Sequence, residues 1–317
     1  MKIVVLESLA VAEEKLRDIA KPLTDAGNEL IIYDKTDDIN LQKERVADAD
    51  ILVIANMPLK GEVIRAAKNL KYLSIAFTGF DHVNLEACRE NNILVSNAAG
   101  YATVAVPELV FGSLISLLRS IVPLDKVTRD GGTKEGSRQQ EIYGKKFGVI
   151  GTGAIGSRVA KIALAFGASV LAQSNNEDEE LKALGVEYCS LDDLIKESDF
   201  ISINTPLTPS TKGLINKEKI ALMKKNAIVI NTARGPVVDN DALAEALKSG
   251  RIGGACIDVF DKEPPLDKDY SLLSAPNTVL MPHVGFATEE AMVRRAHIVF
   301  DDNIAGYIRG EHVNKVI

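Results

Sequence analysis

The chain alternates short apolar runs with longer stretches in which apolar residues recur every three or four positions. Apolar runs fall at 3–6, 30–33, 51–54, 72–75 and 93–95, then at 147–150, 169–172, 200–203, 227–230, 254–257 and 278–281. Helical patterns separate most of them, for example at 13–26, 156–166 and 241–249. Runs this short and continuously apolar fit strands buried on both faces. Strands alternating with helices predict parallel sheets covered on both sides. The expected fold class is α/β. Eleven strands are many for one open sheet, so two Rossmann-like, doubly wound parallel-sheet domains are expected.

The first series breaks near residue 100. A long helix is predicted from Val104 to about Ile121, with Pro107 in its first turn, where a missing N–H is harmless. It is apolar almost all round, and Gly112, Ser113 and Ser116 allow close approach, so burial between domains or subunits is expected. Residues 130–137 read as an exposed loop, and a second β/α series starts at Phe147. A length of 317 residues also favours two domains.

Composition narrows the partners. Hydrophobic residues make up 46% and charged residues 26%, enough for an ordinary core. The net charge of −7 argues against nucleic acid, which demands a basic face. Cys88, Cys189 and Cys256 are far apart, so neither a metal site nor a disulfide framework is indicated and a reduced, cytoplasmic setting is expected. The apolar start is too short for a signal peptide, and 109–118 is too short to span a bilayer, so no membrane partner is expected.

Two features carry chemistry. Gly151-Thr152-Gly153-Ala154-Ile155-Gly156 follows an apolar run and opens a helical pattern. Gly151 permits a tight turn, Gly153 lets the backbone approach a pyrophosphate, and Gly156 lets helix pack on strand. The helix N-terminus then offers N–H groups to phosphate. The second feature is a set of polar residues in the segments into which late apolar runs lead. Arg234 follows the run at 227–230, Asp258 and Glu263 the run ending at Ile257, and His283 the run at 278–281. Ligands of open α/β sheets bind beyond the carboxyl ends of the strands. Reducing a 2-keto acid needs a cation to grip the carboxylate and an acid to protonate the oxygen. Arg supplies a rigid fork and His a proton near working pH. A carboxylate against the far ring nitrogen orients the imidazole and favours its charged form.

At these residues the sequence resembles the D-isomer-specific 2-hydroxyacid dehydrogenases, over nearly its whole length. The matching stretches are Phe77-Thr78-Gly79-Phe80-Asp81-His82-Val83, Glu141-Ile142-Tyr143-Gly144-Lys145, Asn231-Thr232-Ala233-Arg234-Gly235, Asp258-Val259-Phe260 with Glu263-Pro264, and Pro282-His283-Val284-Gly285. The resemblance implies Arg234 as substrate anchor, Glu263 as partner of the His, and His283 as acid/base. It implies Asp258 at the nicotinamide amide, and Ala154 and Ile155 at the pyrophosphate. Thr205, Pro206, Thr211, Thr232 and Ala233 would line the cofactor, with Ser174 at the adenosine ribose. Thr78 and Gly79 would hold the substrate carboxylate. The implied domains are 1–100 with 286–317, flavodoxin-like and substrate-binding, and 101–285, an NAD(P)-binding Rossmann domain, with a cleft between them. The implied assembly is a homodimer built on the long helix and the loop after it.

Two departures stand out. Relatives usually place an acidic residue at the end of the second cofactor-domain strand, where this chain has Ser174-Asn175-Asn176. Many also carry a Trp in the loop after the long helix; this chain has none, and Thr133 stands near that place. NAD is the expected cofactor, with NADP possible. The acidic run Glu177-Asp178-Glu179-Glu180, with no Lys or Arg between Lys161 and Lys182 to offset it, predicts a modest preference for NADH. The expected activity is hydride transfer between NAD(P)H and a small 2-keto acid such as hydroxypyruvate, glyoxylate or pyruvate. The alternatives are an NAD-sensing corepressor-like binding protein on the same fold, or a formate dehydrogenase relative, which typically has Gln where Glu263 stands.

Overall fold

The computed structural model describes residues 1–317 and divides into two units, Met1–Ala102 with Ala287–Ile317, and Thr103–Phe286. Each unit holds one parallel sheet. In the first, β1 (Lys2–Val5), β2 (Glu29–Ile32), β3 (Ile51–Ile54), β4 (Tyr72–Ile75) and β5 (Leu94–Asn97) lie in the order β2-β1-β3-β4-β5. This order is flavodoxin-like and reverses between β1 and β3. β3 and β4 are buried at every position, which is why they read as continuous apolar runs.

The closing segment completes this unit. Helix Glu289–His297 runs through a π-helical stretch, Ile298–Ile304, into helix Ala305–Ile308. Fully buried Asn303 donates to Ser74 Oγ at 3.2 Å and to Asn97 O at 2.9 Å, and its Oδ1 accepts from Asn314 at 2.8 Å. The Arg295 guanidinium, also buried, donates to Leu9 O and lies over the Tyr101 ring. Val316 then donates to Val95 O along the outer edge of β5.

In the second unit, β6 (Lys146–Ile150), β7 (Ser169–Gln173), β8 (Glu187–Tyr188), β9 (Phe200–Ile203), β10 (Ile228–Asn231), β11 (Gly254–Ile257) and β12 (Thr278–Leu280) lie in the order β12-β11-β10-β9-β6-β7-β8. The order reverses between β6 and β9, the place where such sheets bind nucleotides. β8 is absent from the pattern of apolar runs, because two residues with an exposed Glu187 leave no such signal.

Helix Ala105–Leu118 packs on helix Ala154–Ala165 and on β11 and β12. Phe111 stacks on Phe147 and Phe166, with ring centroids 5.5 and 5.3 Å apart. The pattern predicts one helix to about Ile121, but the chain breaks at Ser120, whose φ is +49°. A second helix, Ile121–Arg129, leaves at 53°. None of its residues is buried, so no core face disclosed it in the sequence. No single helix is long and apolar enough to cross a membrane.

Candidate active site

β6 ends in a turn at Gly151, whose φ of +87° favours glycine. A Cβ there would lie 2.8 Å from Asn204 O, and one on Gly156 would lie 1.8 Å from Gly151 O. Both positions therefore need glycine for close packing. Gly153 differs: beyond its chain neighbours, nothing lies within 4 Å of where its Cβ would be. It is the N-cap of helix Ala154–Ala165, and no side chain caps that helix. The first-turn N–H groups are thus left to an outside acceptor, and the helix dipole favours an anion. Beside the turn, Asn204 Oδ1 is buried without a protein partner. The loop is braced from β8: the Tyr188 hydroxyl donates to Thr152 Oγ1 at 3.0 Å and accepts from Asp178 N at 2.9 Å. Ser157 Oγ donates to Thr152 O at 2.8 Å. A bare glycine, an uncapped helix and an orphaned acceptor fit a dinucleotide whose pyrophosphate rests on Ala154, Ile155 and Gly156.

Ser174 follows β7 directly and is half-buried. Asp178 caps the short helix Glu179–Ala183, accepting from Glu180 N and Leu181 N. The other acidic residues of the run are paired: Lys182 with Glu177 and Glu179, and Lys161 with Glu180 at 2.6 Å. These contacts push the Lys182 ammonium well above its ordinary range. The expectation that no cation offsets this run is therefore corrected. The two lysines that bound the stretch in sequence fold back onto it. Beyond β9, Thr205 and Pro206 enter a loop closed by Thr211, whose hydroxyl donates to Pro206 O at 2.6 Å and accepts from Thr208 N at 2.8 Å.

β10, β11 and β12 are parallel neighbours, so their carboxyl ends share one edge. Asn231, the last residue of β10, is fully buried. Its Nδ2 donates to Arg234 O at 3.0 Å and its Oδ1 accepts from Ala233 N at 3.1 Å, which shapes the turn through Thr232, Ala233 and Arg234. A Cβ on Gly235 would lie 1.8 Å from the Phe260 carbonyl carbon. The Arg234 loop thus lies directly on the loop that leaves β11 and carries Asp258 and Glu263. His283 follows β12 with a φ of +58°, a conformation costing a non-glycine residue about 1–3 kcal/mol. Its Nδ1 is 3.2 Å from Glu263 Oε2, and Phe286 meets the ring edge-on at 5.4 Å between centroids. The His283 side chain is 22% exposed and that of Glu263 48%, so the pair is reachable from solvent.

Asp258 is 1% exposed. Its backbone carbonyl accepts from His283 N, and its carboxylate oxygens accept from Val284 N and Gly285 N, all at 2.8 Å. Burial pushes its pKa up, against the pull of these donors and of His283. Thr78 and Gly79 lie in the other unit, beyond the carboxyl end of β4, where Asn97 Nδ2 donates to Thr78 O at 2.7 Å. Asn204, Tyr188 and the bracing role of Asn231 are not legible as site features in the sequence. The one available signal is a polar residue ending or following an apolar strand, which Asn231 and Asn204 both give.

Comparison with known proteins shows the family. Residues 111–285 match the model of the "D-isomer specific 2-hydroxyacid dehydrogenase, NAD binding domain". The hydroxypyruvate reductase of Thermotoga maritima is 40% identical over 78% of this chain and 82% of its own length. The D-3-phosphoglycerate dehydrogenase of Methanocaldococcus jannaschii is 39% identical over 86% of this chain, which spans only 52% of that longer protein. Among solved structures, an acyclic imino acid reductase in complex with NADPH and D-Arg superposes with a TM-score of 0.90 at 28% identity, covering 100% of both chains.

Proposed function

From the premise that this chain belongs to the D-isomer-specific 2-hydroxyacid dehydrogenase family of NAD(P)-dependent oxidoreductases, we propose that it reduces a small 2-keto acid, with hydroxypyruvate, glyoxylate and pyruvate as the leading candidates. The observation that carries this reading is the Glu263–His283 pair, 3.2 Å apart at the shared strand edge, with the Arg234 loop packed beside it. Arg234 holds the substrate carboxylate and polarises the 2-keto oxygen. His283 gives the proton on Nε2 to that oxygen, while Glu263 keeps Nδ1–H in place and so holds the ring's orientation. Bound NAD(P)H supplies the hydride to the 2-carbon. In the reverse direction His283 takes the hydroxyl proton. The glycine turn, Ser174, Thr205, Pro206, Thr232 and Ala233 form the proposed cofactor groove.

The deciding experiment gives the purified protein NADH or NADPH with glyoxylate, hydroxypyruvate, pyruvate, phenylpyruvate and 3-phosphohydroxypyruvate. Turnover of at least one unphosphorylated acid is expected. Oxidation of NADH by none of them would defeat the reading and favour a cofactor-sensing binding protein. Repeating the panel with ammonia tests imine reduction, the chemistry named for the structure with NADPH and D-Arg.

We also propose a homodimer and a cytoplasmic location. Helix Ile121–Arg129 supports the first: it buries none of its residues, and Ile121 and Val122 are 50% and 69% exposed. The three unpaired thiols support the second. Sedimentation of the wild type and of Val122→Lys checks the dimer; the substitution is expected to release monomer.

A further inference from the structure

The resemblance places Asp258 against the nicotinamide amide, yet its surroundings point elsewhere. Its carboxylate is buried and faces backward, into the turn that carries His283. Both oxygens already accept a backbone N–H at 2.8 Å, from Val284 and Gly285, the two residues immediately after the histidine. The Asp258 carbonyl accepts a third, from His283 itself. Three successive amides are therefore bound by one residue. The histidine within that turn has a φ of +58°, which a non-glycine residue rarely adopts unaided. Gly285 completes the arrangement, since a Cβ there would lie 2.9 Å from Asp258 Oδ2 and 3.4 Å from Leu109 Cδ2.

We propose that Asp258 is a positioning residue for the acid: its carboxylate clamps the His283–Gly285 turn in its left-handed form and so aims the imidazole at Glu263 on one side and at the substrate oxygen on the other. The clamp explains why an ionisable group lies in so dry a place. A carboxylate can accept both amides at once, whereas an Asn must turn its NH2 toward one of them, setting donor against donor. It also explains why a small residue is needed two positions after the histidine, where the backbone meets the carboxylate. This proposal rests on the reading of His283 as the proton donor.

The test compares the wild-type chain with Asp258→Asn and Gly285→Ala, with His283→Gln as an assignment control. Four quantities are read: the NADH dissociation constant by fluorescence, kcat on the best keto acid, the melting temperature, and the imidazole nitrogen signals of His283, assigned by their loss in His283→Gln. Both variants are expected to lose about 100-fold in kcat, the range a general acid supplies. NADH affinity is expected to stay within about threefold. The His283 ring signals are expected to shift as its contact with Glu263 loosens. A rise of about tenfold or more in the NADH constant for Asp258→Asn, with Gly285→Ala and the ring signals unchanged, overturns the proposal and makes Asp258 a cofactor ligand. Unchanged kcat in a folded Asp258→Asn overturns it as well. Where Asp258→Asn fails to fold, Gly285→Ala decides by the same two quantities. If the wild type turns over no keto acid, the functional reading falls, while the ring signals still decide whether the clamp exists.

Discussion

His283 combines an exposed reactive ring with a backbone held where few non-glycine residues stay, and both halves of that description bear on rate. Removing the ring while keeping its size, in His283→Gln, is expected to lower kcat by about 100-fold or more, because the amide has no proton to give near neutral pH. NADH binding, read by fluorescence, is expected to be nearly unchanged; a near-wild-type kcat would take His283 out of the mechanism. Glu263→Gln is the companion measurement, since the amide oxygen can still accept from Nδ1 while the proton donor itself is kept, and its loss in kcat is expected to be smaller. Arg234, Glu263 and His283 were legible in the sequence because charged or titratable groups in the loops just beyond apolar strands stand out. The work of Asn231 and Asp258 was not. Both spend their side chains on backbone N–H and C=O groups of residues a few places or a whole loop away, and such partners leave no mark on a one-dimensional pattern.

Among the elements, the glycine turn separates two jobs that one motif performs. Gly156 serves packing, since any Cβ strikes Gly151 O, whereas Gly153 faces open space. Gly156→Ala is therefore expected to destabilise the protein by about 1–3 kcal/mol, read as a lower melting temperature. Gly153→Ala is expected to melt like the wild type yet bind NADH at least about tenfold more weakly, because its methyl occupies the pyrophosphate's approach. Equal loss of stability in both variants would show that Gly153 also packs. The segment after β7 leads to a different expectation. With Lys161 and Lys182 offsetting part of the acidic run and Ser174 neutral, the repulsion of a 2′-phosphate is modest. NADH and NADPH are thus expected to give kcat/KM values within about tenfold of each other at moderate salt. A preference of about a thousandfold either way would reveal a discriminating charge elsewhere. Strands were the most legible elements, being short and apolar throughout. Helix Ile121–Arg129 was the least, since its apolar residues face no core of this chain.

At the scale of the whole chain, burial sets the response to alkali. Burial pushes the Cys88 thiol up to about 11, and the Cys256 thiol and Tyr72 phenol up to about 12. All three stay neutral in the folded protein at pH values where the unfolded chain ionises them. A raised folded pKa means the stabilisation is complete below the unfolded value and is lost as pH rises toward the folded one. The melting temperature is expected to hold to about pH 8.5 and then fall steadily through about pH 11. Replacing Cys88 and Cys256 by Ala should flatten that fall; an unchanged slope would assign it to other groups. The two β/α series were legible because the apolar rhythm restarts at Phe147. The order of strands within each sheet was not, since pairing between distant runs depends on three-dimensional packing. One consequence reaches into biosynthesis. Thr103–Phe286 is a single uninterrupted stretch, whereas the other unit is made of both ends of the chain. Buried Asn303, which ties Ser74 and Asn97 together, and Arg295, which holds Leu9, are translated after the whole of 103–286. On the ribosome the first hundred residues carry all five strands of their sheet but not the closing helices that cover it, so that unit is completed only after the later-made stretch has emerged. Expressed alone, 103–286 should give a cooperative melt and 1–102 should not, so that the part made first is the part finished last.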